Sequence, residues 1–272
     1  MRKFYSFLVI SLVMSSFVVQ AASPVVASLW DDPACRYPSE VCDLAGLRLG
    51  VYSRVNENTG LTLGIANFAE GESRGVELGV ANFDAAGFKG LQLGIFQEVK
   101  GVFHGLQAGW FSIVRNDFYG LQFGVVAFDR GTFYGLQTGF ITAADAVYGA
   151  EVGLANFTYG VKGLQLGFGG YAERVVGAQI GLIVNVSKDV TGFQLGIANY
   201  AEKFCGAQVG IANCSMEFTG AQVGLVNYSK AVNGTQVGLF NFTEKMDGLQ
   251  VGLVNYIKDA KFTVLPIVNF CF

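Results

Sequence analysis

Gly220-Ala221-Gln222-Val223-Gly224-Leu225-Val226-Asn227-Tyr228 returns fourteen residues later as Gly234-Thr235-Gln236-Val237-Gly238-Leu239-Phe240-Asn241-Phe242. It returns again as Gly248-Leu249-Gln250-Val251-Gly252-Leu253-Val254-Asn255-Tyr256. Followed back along the chain, the unit Gly-x-Gln-x-Gly-x-x-Asn-aromatic recurs from Gly46 to Gly248 in fifteen copies, at steps of 14 or 15 residues. A sixteenth, degenerate copy opens at Phe262, with Pro266 where the second glycine should stand. Two glycines per copy account for 30 of the 37 in the chain, so a single repeat dominates the sequence. A fixed period of this kind points to an array architecture before any single residue is weighed.

Fourteen residues is also two heptads, and helix has to be excluded. Two glycines per copy would cost about 1 kcal/mol each inside a helix. The Val, Ile, Phe and Tyr content favours strands, and the apolar residues alternate with period two. With the first glycine as position 1, positions 2, 4 and 6 are apolar or small, as in Leu91, Leu93 and Ile95. Position 3 is Gln in eleven copies, Glu at Glu77 and Glu151, and Arg at Arg48. Position 9 is most often Phe or Tyr, and charges gather after it, as in Glu202-Lys203 and Glu244-Lys245. One face of each strand is therefore purely apolar, and the other reads aromatic, Gly, Gln, Gly, small, aromatic. Each copy is expected to be a strand of about eleven residues followed by a tight polar turn.

The fold class is all-β, and two architectures accommodate about sixteen such strands. In an antiparallel barrel of outer-membrane type, an eleven-residue strand rises roughly 36 Å and, tilted, spans about 25 Å, the height of the lipid-facing band. The apolar face would meet the bilayer, and the aromatics would gather at both rims. The ending Val268-Asn269-Phe270-Cys271-Phe272 resembles the C-terminal insertion signal of bacterial outer-membrane barrels. Phe272 would then be the handle for the barrel-assembly machinery. In the alternative, a parallel β-solenoid, each copy is one coil and identical residues stack into ladders. Pro266 suits the end cap of a solenoid and is awkward in a closed barrel. The aromatic rims and the mean hydropathy of +0.41 favour the barrel.

The N-terminus reads as an address. Met1-Arg2-Lys3 is a short basic start, an apolar stretch follows, and Val19-Gln20-Ala21 is a small-residue cleavage pattern. This predicts a secretory signal peptide over residues 1–21 and an envelope or secreted location. Residues 22–45 form an N-terminal segment in which Cys35 and Cys42 fit a small loop disulfide in an oxidising compartment. Residues 46–272 are expected to be a single β-repeat domain. Cys205, Cys214 and Cys271 sit within the repeats as small apolar fillers.

The unit, together with the ending Val264-Leu265-Pro266-Ile267-Val268-Asn269-Phe270, is similar to a family of bacterial surface-repeat proteins of uncharacterised function. The similarity covers residues 46–272. It implies an envelope location and no activity. Some members of that family resemble lipoproteins, whereas this chain lacks a lipid-attachment cysteine after its leader.

Chemistry finds little footing in the residues. His104 is the only histidine, and no serine or cysteine pairs with it by motif. Glu77 and Glu151 stand five copies apart, too far for paired-carboxylate chemistry. No metal or cofactor motif is present, and a net charge of -3 without a basic block disfavours nucleic acid. The position-3 belt is the best candidate: Arg48, Glu77, Gln92, Gln107, Gln122, Gln137, Glu151, Gln165, Gln179, Gln194, Gln208, Gln222, Gln236 and Gln250. In a barrel it would line the lumen and give a weakly selective path for small polar solutes. The reading is thus a structural or passive-pore barrel in the lipid bilayer, with a surface-exposed solenoid acting as spacer or binding rod as the alternative.

Overall fold

A computed structural model describes residues 22–30, 36–37 and 43–272. The leader and the Cys35–Cys42 pair lie outside the described residues. The described residues group into two compact units, one ending at Gly120 and one formed by Leu121–Phe272.

The first unit contains β1 (Ala22–Ser28), β2 (Arg36–Tyr37), β3 (Asp43–Val55), β4 (Asn58–Ala69), β5 (Ser73–Asp84), β6 (Phe88–Val99) and β7 (Phe103–Val114). From β3 to β7 each strand pairs in parallel with the next, and equivalent residues face one another: Gly60 opposite Gly75, Gly75 opposite Gly90, Gln92 opposite Gln107. β1 lies parallel to β3 on the other side, with Val26 opposite Arg48.

A long strand, β8 (Phe118–Val223), runs from the end of the first unit through much of the second. β9 (Val226–Val237), β10 (Phe240–Ile257) and β11 (Val264–Cys271) complete the second unit. Gly220 faces Gly234, and Gly234 faces Gly248, again in parallel and in register. β11 reverses, running antiparallel to β10 with Gly248 opposite Cys271, as β2 does against β1 in the first unit. Pro266 lies in this closing strand, next to Ile267 at φ 70, where the pairing with β10 slips its register. Proline, having no N–H to donate, is tolerated on such an edge.

The architecture is therefore a parallel β-solenoid, and the antiparallel barrel expected from the sequence is not what forms. The physical reason is the register. An antiparallel meander sets Gln opposite Gly, whereas parallel stacking sets Gln on Gln and Gly on Gly. With no meander there is no closed wall, no lumen and no lipid-facing band across tilted strands. The strands β4 to β7 are 12 residues long with short turns between them, and along Phe118–Val223 extended backbone continues from one coil into the next.

Glycine at position 1 makes the stacking possible. Gly90 and Gly206 have φ +138 and +137, a region that side-chain-bearing residues avoid. An added Cβ would overlap the carbonyl oxygen of the equivalent glycine one coil earlier, Gly75 or Gly192. Each coil then turns four side chains inward, illustrated by Gln92, Gln97, Val99 and Phe103, all buried. In the first unit Phe88, Phe103 and Phe118 stack at 5.4 and 4.6 Å between ring centres. In the second, the same column runs through Val190, Phe204, Phe218, Val232 and Met246.

Candidate functional site

The position-3 side chains point inward and pack in the solenoid core. Every one of the fourteen candidates, from Arg48 to Gln250, is at most 1% exposed. A permeation path needs solvent beside such a belt, and here the belt is buried among other protein atoms.

Stacked 14 or 15 residues apart, the amides bond to one another. In the second unit Gln250 Nε2 donates to Gln236 Oε1 at 2.7 Å, and the series continues through Gln222, Gln208, Gln194 and Gln179 to Gln165 at 2.7–2.8 Å. Every donor points toward the coil before it. The inward Asn at position 8 (position 9 in the copy that opens at Gly177) forms a second ladder with the opposite sense. Asn185 Nδ2 donates to Asn199 Oδ1 at 2.8 Å, and the series runs on through Asn213, Asn227 and Asn241 to Asn255. Each of these Asn Nδ2 atoms also donates to a main-chain carbonyl of the following coil, as from Asn227 to Val237 at 2.9 Å. An amide suits this role because it is donor and acceptor at once.

Carboxylates accept only, and they stand where a ladder stops. Gln165 Nε2 donates to Glu151 Oε2 at 2.9 Å, and Thr158 and Thr142 donate to the two Glu151 oxygens at 2.7 Å. Glu151 offers no donor to the coil before it, and Gln137 Oε1 is left without a hydrogen bond. Gln137 Nε2 instead donates backward to Gln122 Oε1 at 2.8 Å and to Asp129 Oδ2 at 2.6 Å. Burial pushes the Asp129 carboxyl well above its usual range. The Gln122 amide opposes that shift, and the charge on Glu151 adds to it.

In the first unit Gln107 donates to Gln92 at 2.8 Å and Gln92 to Glu77 at 2.9 Å. Glu77 receives Arg48 Nη2 from the other side at 2.7 Å, across the small Thr62, and Arg48 Nη1 donates to Phe68 O at 3.0 Å. Asp84 joins the cluster, accepting from Gln92 at 2.7 Å and Ser73 at 2.5 Å. Burial, then the neighbouring Glu77 charge, raise the Asp84 carboxyl well above its usual value. Burial also raises Glu77 and lowers Arg48, and each is held toward its charged form by the other.

Asp84, Asp129, Ser73, Thr142 and Thr158 went unread as core partners in the sequence. A signal was available: Asp84 and Asp129 occupy position 10, where other copies carry Val, Ala, Ser, Thr or Ile. Glu77 lies in the first unit and Glu151 in the second. His104 is exposed and stacks on Tyr119 at 4.8 Å. Cys205, Cys214 and Cys271 are free thiols. Among the described residues no cluster of His, Cys, Asp or Glu could hold a metal ion.

The surface carries what the core does not. Positions 4 and 6 point outward, and position 6 is exposed coil after coil: Ile65, Val80, Ile95 and Trp110 in the first unit, Ile197, Ile211, Leu225, Leu239 and Leu253 in the second. At position 5 an added Cβ would run into the Asn ladder, as Gly224 would into Asn213 Nδ2 at 2.6 Å. Glycine lets the backbone sit back there, and in the second unit a groove of about 840 Å³ runs between the two apolar ridges, from Ile180 to Ile267. No family model, curated protein or solved structure matches the chain.

Proposed function

We infer that the chain is an exported, surface-exposed β-solenoid that serves as a passive spacer or binding rod and carries out no chemistry. One observation carries this reading: the polar side chains of the repeat are consumed in internal ladders, while the outward positions are apolar in successive coils. A protein arranged this way offers a hydrophobic surface for recognition at its outward repeat positions. Exposed apolar patches beyond a few hundred Å² mark interaction sites. The leader pattern at residues 1–21 and the similarity of the repeat unit to bacterial surface-repeat proteins support the envelope location.

The test is fractionation of cells producing the full chain, with alkaline washing of membranes and protease treatment of intact cells. A surface rod is expected to be digested from outside, to wash off at alkaline pH, and to migrate identically in boiled and unboiled gel samples. Resistance to the wash together with a heat-dependent shift would overturn the reading in favour of an integral barrel.

A further inference from the structure

We propose that the grooved apolar face of the second unit is a self-association surface, and that its occupant is the same face of a second copy of this chain. The proposal names the partner of the rod and rests on the reading of its outer face as a binding surface.

Three observations select this occupant. The first is commensurability. Equivalent residues stack in strict register, Val223 on Val237 and Gln222 on Gln236, so the ridges repeat at the strand spacing of about 4.8 Å. A second copy has that same period. The Leu225 and Leu239 ridge of one copy can seat over the Gly224 and Gly238 floor of the other at every coil, as facing sheets interdigitate in dry zippers. A two-fold axis through the face makes the contact isologous and closed.

The second is area. The groove spans six coils and the closing strand β11, or roughly 34 Å at the strand spacing, and positions 2 to 7 cover about 20 Å along each strand. Two copies would bury roughly 1,300 Å², above the approximately 1,000 Å² that a specific interface requires.

The third is charge. Between Gly177 and Tyr256 the stretch from one residue before position 1 through position 9 contains no Lys or Arg in any copy. A membrane-docking face gains much of its attraction from such cations against anionic headgroups. Positions 2 to 7 of these copies carry no charge of either sign, so the face meets no charge repulsion from an identical one.

The test is a sedimentation concentration series on the detergent-free full chain, with Leu225→Glu and Leu239→Glu alongside, followed by flotation with neutral phosphatidylcholine vesicles. The wild type is expected to be dimeric at about 10 µM and to remain unbound to vesicles. Each variant is expected to raise the dimer dissociation constant by about 100-fold or more, because it places an unpaired carboxylate in the interface. Far-UV dichroism should be unchanged, since both side chains already face outward. A wild type that stays monomeric at about 100 µM, or a dimer that survives both substitutions, overturns the proposal. A monomer that floats with the vesicles reassigns the face to lipid. Should a variant lose its β-sheet dichroism, the wild-type series decides alone. The alkaline-wash and protease experiment reads location and is independent of this outcome.

Discussion

The ladder of the first unit and that of the second use one side chain under opposite constraints. From Gln165 to Gln250 every coil supplies a glutamine, and the amides pass hydrogen bonds along without interruption. From Arg48 to Gln107 the same column holds two amide donors, a carboxylate and a guanidinium, with Asp84 alongside. Both ladders end on a glutamate at their N-terminal side, the side toward which the glutamine donors point. The difference lies beyond that glutamate: Arg48 meets Glu77, whereas Thr142 and Thr158 meet Glu151. A neutral ladder extends with each added coil, and a charged residue can only close it.

The comparison has a common floor, and breaking that floor gives the largest effect. Gly206→Val forces a β-branched residue to φ +137 against the Gly192 carbonyl. It is expected to cost more than about 4 kcal/mol and to abolish the cooperative melt, and Gly90→Val is expected to do the same in the first unit. Thermal unfolding by circular dichroism reads both.

One chemical change should then give two different answers. Glu77→Gln leaves Arg48 buried without its counter-charge and is expected to destabilise by about 3–5 kcal/mol, with Arg48→Met in the same chain restoring most of the loss. Glu151→Gln removes no ion pair and supplies an amide able to donate to the orphaned Gln137 Oε1. It is expected to change stability by less than about 1 kcal/mol. Equal losses in urea titrations of the two variants would erase the distinction between the ladder ends.

Asp129 sharpens the contrast through pH. Its native carboxyl holds a proton well above the unfolded value of about 3.9. The native state therefore binds more protons than the unfolded chain once pH exceeds that value, and stability falls as pH rises toward the native titration point. Asp129→Asn removes this dependence. The melting temperature of the wild type relative to the variant is expected to drop between pH 4 and pH 8; a constant difference would contradict the burial argument.

Within the uninterrupted ladder, Gln222→Ala strands the Gln236 donor and the Gln208 acceptor. The expected cost is about 1–3 kcal/mol, that of buried groups left unsatisfied. A value near zero would mean that the ladder fills space without contributing hydrogen-bond energy.

Much of this architecture was legible in the residues. The fourteen-residue period, the exclusion of helix by paired glycines, and the split between an apolar face and a Gln face all follow from alternation along one strand. The choice of partner strand does not, because alternation is a local property shared by barrel and solenoid. What distinguishes them is whether Gln222 lies beside Gln236 or beside a glycine, a contact between residues fourteen apart. Recurrent identity at position 3 was itself the clue, since an amide ladder needs the same side chain in every coil. Pro266 points the same way, against the aromatic rims. The outer groove was illegible because it arises from glycines drawn inward by the Asn ladder, which the repeat shows only as a recurring letter.

The parallel in-register stack is tested most directly by deleting two whole coils, residues 220–247, so that Thr219 joins Gly248 and Gln250 meets Gln208. A solenoid is expected to remain soluble without detergent, to keep its β-sheet dichroism and a cooperative melt, and to shrink in hydrodynamic radius. A chain that loses its fold, or that holds it only in detergent, would contradict the solenoid and return the strands to a closed wall.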